Sequence, residues 1–290
     1  MTANRLSQSP GPIGVFDSGY GGLTILSGIR RLMPEYDYIY LGDNARAPYG
    51  TRSFEVVRDF TRQAVEYLFE KGCHLVVLGC NTASAKALRS FQQLYLPQID
   101  PARRVLGIII PTAEIIGSIT WSRHVGVLAT EGTIRSRSYN IEIEKRYPDI
   151  RVTGVPCPMW VPLVENNEAS GDGADYFVEK YLRQLLVADD QIDTVILGCT
   201  HYPMLVPKIR RVLDQLHPGM NIVEQGTYVA ESLRNYLDRH PEMDAKCSRG
   251  GKVRYLTTES AEKFSERACL FLNERVEVES VVLGETAERL

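Results

Sequence analysis

Two cysteines hold matching positions in this sequence. Cys80 lies in Val76-Val77-Leu78-Gly79-Cys80-Asn81, and Cys199 lies in Val195-Ile196-Leu197-Gly198-Cys199-Thr200. Each follows an apolar strand-like run and a glycine, and each precedes a helical pattern that starts near Ala83 or Pro203. That order puts both sulfurs at strand carboxyl ends and near helix N-termini. A free thiol titrates near about 8.5, so only a few per cent is thiolate at neutral pH. A helix N-terminus favours the thiolate. Cysteine is also common as a small buried hydrophobe. Two of them at equivalent places in one chain point instead to reactive thiols.

Other groups gather around this pair in sequence. His201, two residues after Cys199, could orient, protonate or pair with that thiol. Asp17-Ser18-Gly19-Tyr20-Gly21-Gly22 ends the first strand-like run. Its glycines permit tight turns and close ligand approach, although Asp17 also suits a helix cap. The segment lacks the lysine of a phosphate-binding loop and the spacing of a dinucleotide fingerprint. A zinc set of Cys80, Cys199, His201 and Asp17 is conceivable, but paired ligand spacing is missing, so no metal is expected. Glu165 closes a proline-rich stretch, Cys157-Pro158-Met159-Trp160-Val161-Pro162-Leu163-Val164. By itself it reads as a solvated carboxylate at a loop start. Cys73, Cys157, Cys247 and Cys269 lack the strand–glycine–cysteine context and read as core or incidental residues.

The elements that must position these groups are short β-branched runs separated by helical patterns. Strands are expected at Ile13–Phe16, Tyr38–Leu41, Leu75–Leu78, Val105–Ile110, Val125–Leu128, Arg151–Val155 and Val195–Leu197. Ile222–Glu224, Val253–Leu256 and Val278–Leu283 continue the series. Most are continuous apolar runs, which suits strands buried on both faces of a parallel sheet. Helical stripes run through Val57, Phe60, Ala64, Val65 and Leu68, with Gly72 as a stop. Others run through Phe177, Tyr181 and Leu185, and through Leu205, Ile209 and Val212, where Pro203 suits a first helical position. Strand–helix alternation predicts an α/β fold.

The chain also repeats itself. Gly14-Val15-Phe16-Asp17-Ser18-Gly19 resembles Gly126-Val127-Leu128-Ala129-Thr130-Glu131-Gly132, and the Cys80 segment resembles the Cys199 segment. One duplication with small insertions explains both matches. It predicts two pseudo-symmetric, doubly wound domains with mainly parallel sheets, and a site in the cleft between them. The expected division is a disordered tail over residues 1–12, a first domain from 13–106 plus 222–290, and a second from 107–221. Assigning the C-terminal strands to the first domain rests partly on the resemblance given below.

Composition narrows the setting. The chain has 290 residues, 44% of them hydrophobic and 24% charged, an ordinary globular balance for about two domains. A net charge of −3 argues against a nucleic-acid binder held by a basic face. The longest apolar stretch, Val105–Trp121, is too short and too interrupted to span a bilayer. The first dozen residues lack the apolar core of a secretory signal. Six cysteines are too sparse for a disulfide scaffold, so a reducing, cytoplasmic setting is expected.

Taken together, these segments resemble the bacterial glutamate racemases of the cofactor-independent Asp/Glu racemase superfamily. The matching motifs are Phe16-Asp17-Ser18-Gly19-Tyr20-Gly21-Gly22-Leu23, Gly42-Asp43-Asn44-Ala45-Arg46-Ala47-Pro48-Tyr49-Gly50, Cys80-Asn81-Thr82-Ala83-Ser84-Ala85 and Gly198-Cys199-Thr200-His201-Tyr202-Pro203. Pro162-Leu163-Val164-Glu165 also fits. Tyr20 stands where the family usually has valine, and Val223-Glu224-Gln225-Gly226 stands where a Val-Asp-Ser-Gly type of sequence is common. The second departure removes an expected hydroxyl, so that segment is assigned no role.

The resemblance implies interconversion of L- and D-glutamate without a cofactor, the D form serving peptidoglycan. It implies that Cys80 deprotonates D-glutamate with help from Asp17. Cys199 would deprotonate L-glutamate with help from His201 and Glu165. Donors at Ser18, Asn81, Thr82, Thr200 and the Pro48-Tyr49-Gly50 segment, with Asp17 and His201, would hold the substrate. The expected partners are the two glutamate enantiomers, with neither nucleic acid nor membrane, and a homodimer is compatible with the resemblance. Two readings compete. One is another enzyme of this fold, such as an aspartate or hydantoin racemase or a one-thiol decarboxylase. The other is a binding or regulatory protein on a degenerate racemase fold.

Overall fold

The computed structural model describes residues 9–284. Of the tail expected over residues 1–12, the first eight lie outside the described residues. The remainder is not disordered. Gly11 is buried, bridges to Cys247 and donates its N–H to the Lys246 carbonyl at 2.9 Å. The Ser9 carbonyl meets His74 Nε2 at 3.0 Å.

Two parallel sheets carry the chain. In order of sequence the strands are β1 (Ile13–Asp17), β2 (Tyr38–Gly42), β3 (Leu75–Leu78), β4 (Arg104–Gly107) and β5 (His124–Ala129). They continue with β6 (Arg151–Pro156), β7 (Thr194–Gly198), β8 (Asn221–Val223), β9 (Val253–Thr257) and β10 (Val278–Ser280). The six-stranded sheet runs β10-β9-β2-β1-β3-β4 and the four-stranded sheet runs β6-β5-β7-β8. The core β2-β1-β3-β4 of the first is matched strand for strand by the second. The register matches as well. Gly14 of β1 sits opposite Val76 of β3, and Gly126 of β5 sits opposite Val195 of β7. These are the same paired residues in the two copies of the repeated motif. β1, β3 and β7 are buried along their whole length. Each buried Val, Leu or Ile there contributes about 1.5–3 kcal/mol, which fixes which strands lie centrally.

The helices follow their sequence signals with instructive exceptions. Phe54–Glu70 begins where Ser53 accepts the Val56 N–H, and Gly72 stops it in the left-handed region at φ +93°. The run expected as a strand over Val105–Ile110 is strand only to Gly107, and Ile109–Ile119 is a helix. Pro111 in its first turn supplies no N–H that a helix start would use. Ile222 falls in β8, which pairs with β7, so the second sheet extends past the expected boundary at residue 221. Val253–Thr257 pairs with β2 in the six-stranded sheet, and β10 covers β9. The chain therefore leaves that sheet after β4 and returns to it at β9.

Candidate active site

Both thiols sit where their strands end, and both line one cavity of about 370 Å³. Cys80 follows β3 and caps the helix Asn81–Lys86, with its sulfur accepting the Ala83 N–H at 3.5 Å. Ser18 Oγ lies 3.4 Å from the same sulfur. Burial, with the nearby Asp17 carboxylate adding to it, pushes the Cys80 thiol up to about 12. That outweighs the capped N–H, so the resting group is a thiol.

Cys199 has a different neighbourhood. The chain after β7 forms a 3₁₀ turn over Tyr202–Leu205 before the helix Val206–Leu216 begins, so the sulfur is not at an α-helix N-terminus as the sequence suggested. Its partner is a side chain. Cys199 Sγ lies 3.8 Å from His201 Nδ1, and His201 Nε2 lies 3.0 Å from Glu165 Oε1. Glu165, on the short helix Trp160–Glu165, is thus a hydrogen-bonded member of the site and not a solvated loop carboxylate. Burial opposes the imidazolium, but hydrogen bonds with Cys199 and Glu165 prevail and push His201 up to about 10.

That shift has a sign for stability. The group's folded value exceeds its ordinary 6.5, so its contribution is present below about 6.5 and is lost as pH rises toward about 10. Denaturant midpoints should therefore fall across this window. The His201→Asn variant should show a shallower fall over the same range, and superimposable curves would contradict this account.

Asp17, at the end of β1, is fully buried and does not itself line the cavity. Burial raises its carboxyl, His201 and backbone N–H groups oppose that, and its Oδ2 accepts the Gly19 N–H at 2.9 Å. It therefore lies within electrostatic reach of both Cys80 and His201. Tyr40 fixes this loop by donating to the Gly19 carbonyl at 2.8 Å.

Ser18, Pro48, Tyr49, Gly50, Asn81, Thr82, Thr200 and His201 all line the cavity. Two of them offer backbone more than side chain. The Tyr49 hydroxyl donates to Asp43, and the Asn81 amide is committed to a buried network. The sequence reading gave no site role to several lining residues, among them Thr130 and Cys157. Thr130 Oγ1 meets Thr82 Oγ1 at 3.0 Å across the cleft, and Cys157 lies against the floor. The signal for Thr130 was present, because the repeat places it opposite Ser18. Further ties across the cleft are Gly132 N–H to the Gly50 carbonyl at 2.9 Å and Thr24 Oγ1–H to the Thr200 carbonyl at 3.1 Å.

Tyr20 is accounted for by packing. Its ring lies 5.2 Å from Phe264 and stacks at 6.3 Å on Phe271, whose own ring meets His201 edge-on at 5.8 Å. It thereby braces the back of the histidine. Among the described residues, no three His, Cys, Asp or Glu side chains converge as a metal cage, and no helix is long and apolar enough to cross a membrane.

A duplicated α/β fold with one buried thiol from each copy facing a shared cavity fits the racemases, isomerases of amino acids. The chain belongs to the Asp/Glu/Hydantoin racemase family, whose model matches residues 23–227, and within it to the glutamate racemases. It is 39% identical to the glutamate racemase of Paracoccus denitrificans over 280 residues, covering 92% of this chain and 99% of that one. Its fold superposes on a glutamate racemase isoform of Bacillus anthracis with a TM-score of 0.84 at 31% identity, covering 94% and 97% of the two chains. It superposes on the glutamate racemase of Francisella tularensis, solved in complex with D-glutamate, with a TM-score of 0.82 at 31% identity, covering 94% and 98%.

Proposed function

We propose that this chain interconverts L- and D-glutamate by proton transfer between two thiols, in the cytoplasm, and that it supplies D-glutamate for peptidoglycan. One observation carries the reading: Cys80 and Cys199 line the same cavity from equivalent ends of β3 and β7. A single group cannot reach both faces of a bound α-carbon, so inversion calls for two flanking acid/bases. The unlike surroundings of the two sulfurs suit a resting enzyme ready for the L to D direction. Cys199, beside the imidazolium of His201, is the base that takes the α-proton of L-glutamate. Cys80, held as a thiol, delivers its proton to the opposite face. The C–H bonding pair stays on carbon between the two steps, and the proton count of the enzyme is unchanged apart from its position.

In the reverse direction Cys80 must first lose its proton. This reading gives that proton to the Asp17 carboxylate, whose charge acts on the Cys80 sulfur, and His201 with Glu165 reprotonates Cys199. The α-proton of an amino acid is only weakly acidic, so donors must offset the developing charge. Ser18, Thr82, Thr200 and the backbone N–H groups of Asn81, Tyr49 and Gly50 line the cavity, and this reading gives them the two carboxylates to hold. Two domains are proposed around the two sheets, the first from residue 13 through the end of β4 at Gly107, past the expected boundary at 106, with the segment after β8, and the second from 108 through β8.

The test is exchange of the α-hydrogen in deuterated water with each glutamate enantiomer separately. Deuterium should enter at the α-carbon from both starting enantiomers, with inversion. Aspartate in the same assay separates the neighbouring racemase reading. Binding of glutamate without any exchange would sink the enzymatic reading.

A further inference from the structure

Gln225 stands in the segment that the sequence left without a role, yet it is 3% exposed and fully engaged. It is the first residue of the helix Gln225–Arg239, directly after the turn out of β8. Its Oε1 accepts from Asn81 Nδ2 at 2.6 Å. Its Nε2 faces Thr112 Oγ1 at 2.9 Å, the Tyr139 hydroxyl oxygen at 2.9 Å and the Ile108 carbonyl at 3.2 Å. Asn81, Tyr139, Thr112 and Ile108 are buried as well.

Donor accounting leaves one orientation. Tyr139 spends its proton on Asn81 Oδ1 at 2.7 Å, and Thr112 spends its proton on the Ile108 carbonyl at 3.0 Å. Both hydroxyl oxygens are therefore acceptors toward Gln225. A flipped amide would set oxygen against two spent hydroxyls and a carbonyl, and nitrogen against the Asn81 NH₂ group. Buried polar groups left so mismatched are costly.

The location gives this network its meaning. Among the described residues the chain passes between the two sheets twice, once after β4 and once after β8. Ile108 lies at the first passage and Gln225 at the second. Asn81 is the residue after Cys80, and Tyr139 packs over Gly198, the residue before Cys199; a Cβ on that glycine would meet its ring at 3.1 Å. One amide thus ties both passages to the floor between the two thiols.

We infer that Gln225 is a positioning residue that sets Cys80 and its helix against the second lobe through Asn81, and so tunes the proton transfer made by Cys80 more than that made by Cys199. The inference rests on the two-thiol reading above. Cys199 depends less on the network, because its partner is the His201 side chain, which Glu165 holds in turn, whereas Cys80 is followed directly by Asn81. Asn81 has both side-chain contacts inside the network.

The experiment uses the full chain and a glutamate analogue with a β leaving group, which needs only one deprotonation to eliminate. The half-reaction lost in Cys80→Ala defines the Cys80 side, whatever its enantiomer. Gln225→Glu keeps the shape but swaps two donors for lone pairs facing three acceptors. Tyr139→Phe removes one hydroxyl and keeps the ring. Each should lower kcat for the Cys80 half-reaction by about tenfold, with KM and the Cys199 half-reaction within about threefold. Activity of the Gln225→Glu variant should also recover as pH falls, since the protonated carboxyl regains one donor. An equal loss of both half-reactions, or no loss in folded protein, overturns the proposal. Should Gln225→Glu not fold, Tyr139→Phe decides alone. Wild type that eliminates neither enantiomer and exchanges no α-hydrogen would instead refute the underlying two-thiol reading.

Discussion

Cys80→Ala and Cys199→Ala should each lower racemisation by about a thousandfold or more, while leaving the fold intact. On the proposed two-thiol reading either change removes the acid/base from one face of the α-carbon, and a positioned acid or base is worth about 10²–10⁴ in rate. Serine in place of cysteine should do nearly as badly, because an alcohol is a far weaker acid than a thiol. The two variants should nevertheless differ. With a β-leaving-group analogue, Cys80→Ala should still eliminate from the L form and Cys199→Ala from the D form. Full turnover cannot display this asymmetry, since equilibrium fixes the ratio of the two kcat/KM values, so single deprotonations must be followed. Elimination of the same enantiomer by both variants would disprove the assignment of faces. Both alanines are smaller than the buried thiols, so thermal unfolding should show losses of about 1 kcal/mol. That loss is too small to account for a thousandfold fall in rate.

Two glycines, one just before a helix and one within it, should give different phenotypes. Gly21, just before the helix Gly22–Leu32, allows the His201 ring to approach. A Cβ there would fall within 2.5 Å of His201 Nδ1 and closer still to Thr200 Oγ1. Its φ of −58° suits any residue, so the objection is purely one of space. Gly21→Ala should push the imidazole away from Cys199 and Glu165, and cost the L half-reaction about a hundredfold. Gly28 faces the helix Gln225–Arg239, where a Cβ would lie 2.5 Å from the Gly226 carbonyl oxygen. Backbone cannot turn aside as a side chain can. Gly28→Ala should lower stability by about 1–3 kcal/mol and, by displacing Gly226 beside Gln225, spare the Cys199 half-reaction while any loss falls on the Cys80 one. Equilibrium unfolding together with the two elimination rates separates the cases. A Gly28→Ala protein that loses the Cys199 half-reaction would show that the helix pair, and not the glycine at the site, governs the histidine.

The strand ends and the thiols were legible in the sequence because periodicity, glycine punctuation and repetition are local signals. The duplicated Gly14 and Val76 segments carried the fold, and their register in the two sheets is the same. Four features were not legible, each for a physical reason. The apolar run after Val105 suits a buried helix as well as a buried strand, and only the packing of Ile109–Ile119 decides between them. The 3₁₀ turn after Cys199 depends on how Tyr202 seats against Trp160, at 4.7 Å between rings, which joins residues distant in sequence. Glu165 looked like solvated charge until folding brought His201 to it. Gln225 looked like the loss of a hydroxyl, whereas its longer amide reaches partners in three other segments, which no linear spacing reveals.

The order of the strands also has a consequence for how the protein is made. A ribosome delivers β5 to β8 in one stretch, so the four-stranded sheet can close while the rest is still being synthesised. The six-stranded sheet cannot. Until β9 arrives, β2 presents a bare edge of apolar residues, Tyr38 through Leu41, with unpaired backbone groups along it. A chain halted after β8 would carry one finished lobe beside one open edge able to pair with other chains. The strand that shields it is translated only after β8, with β10 in turn covering β9 and Glu279 pairing with Arg254.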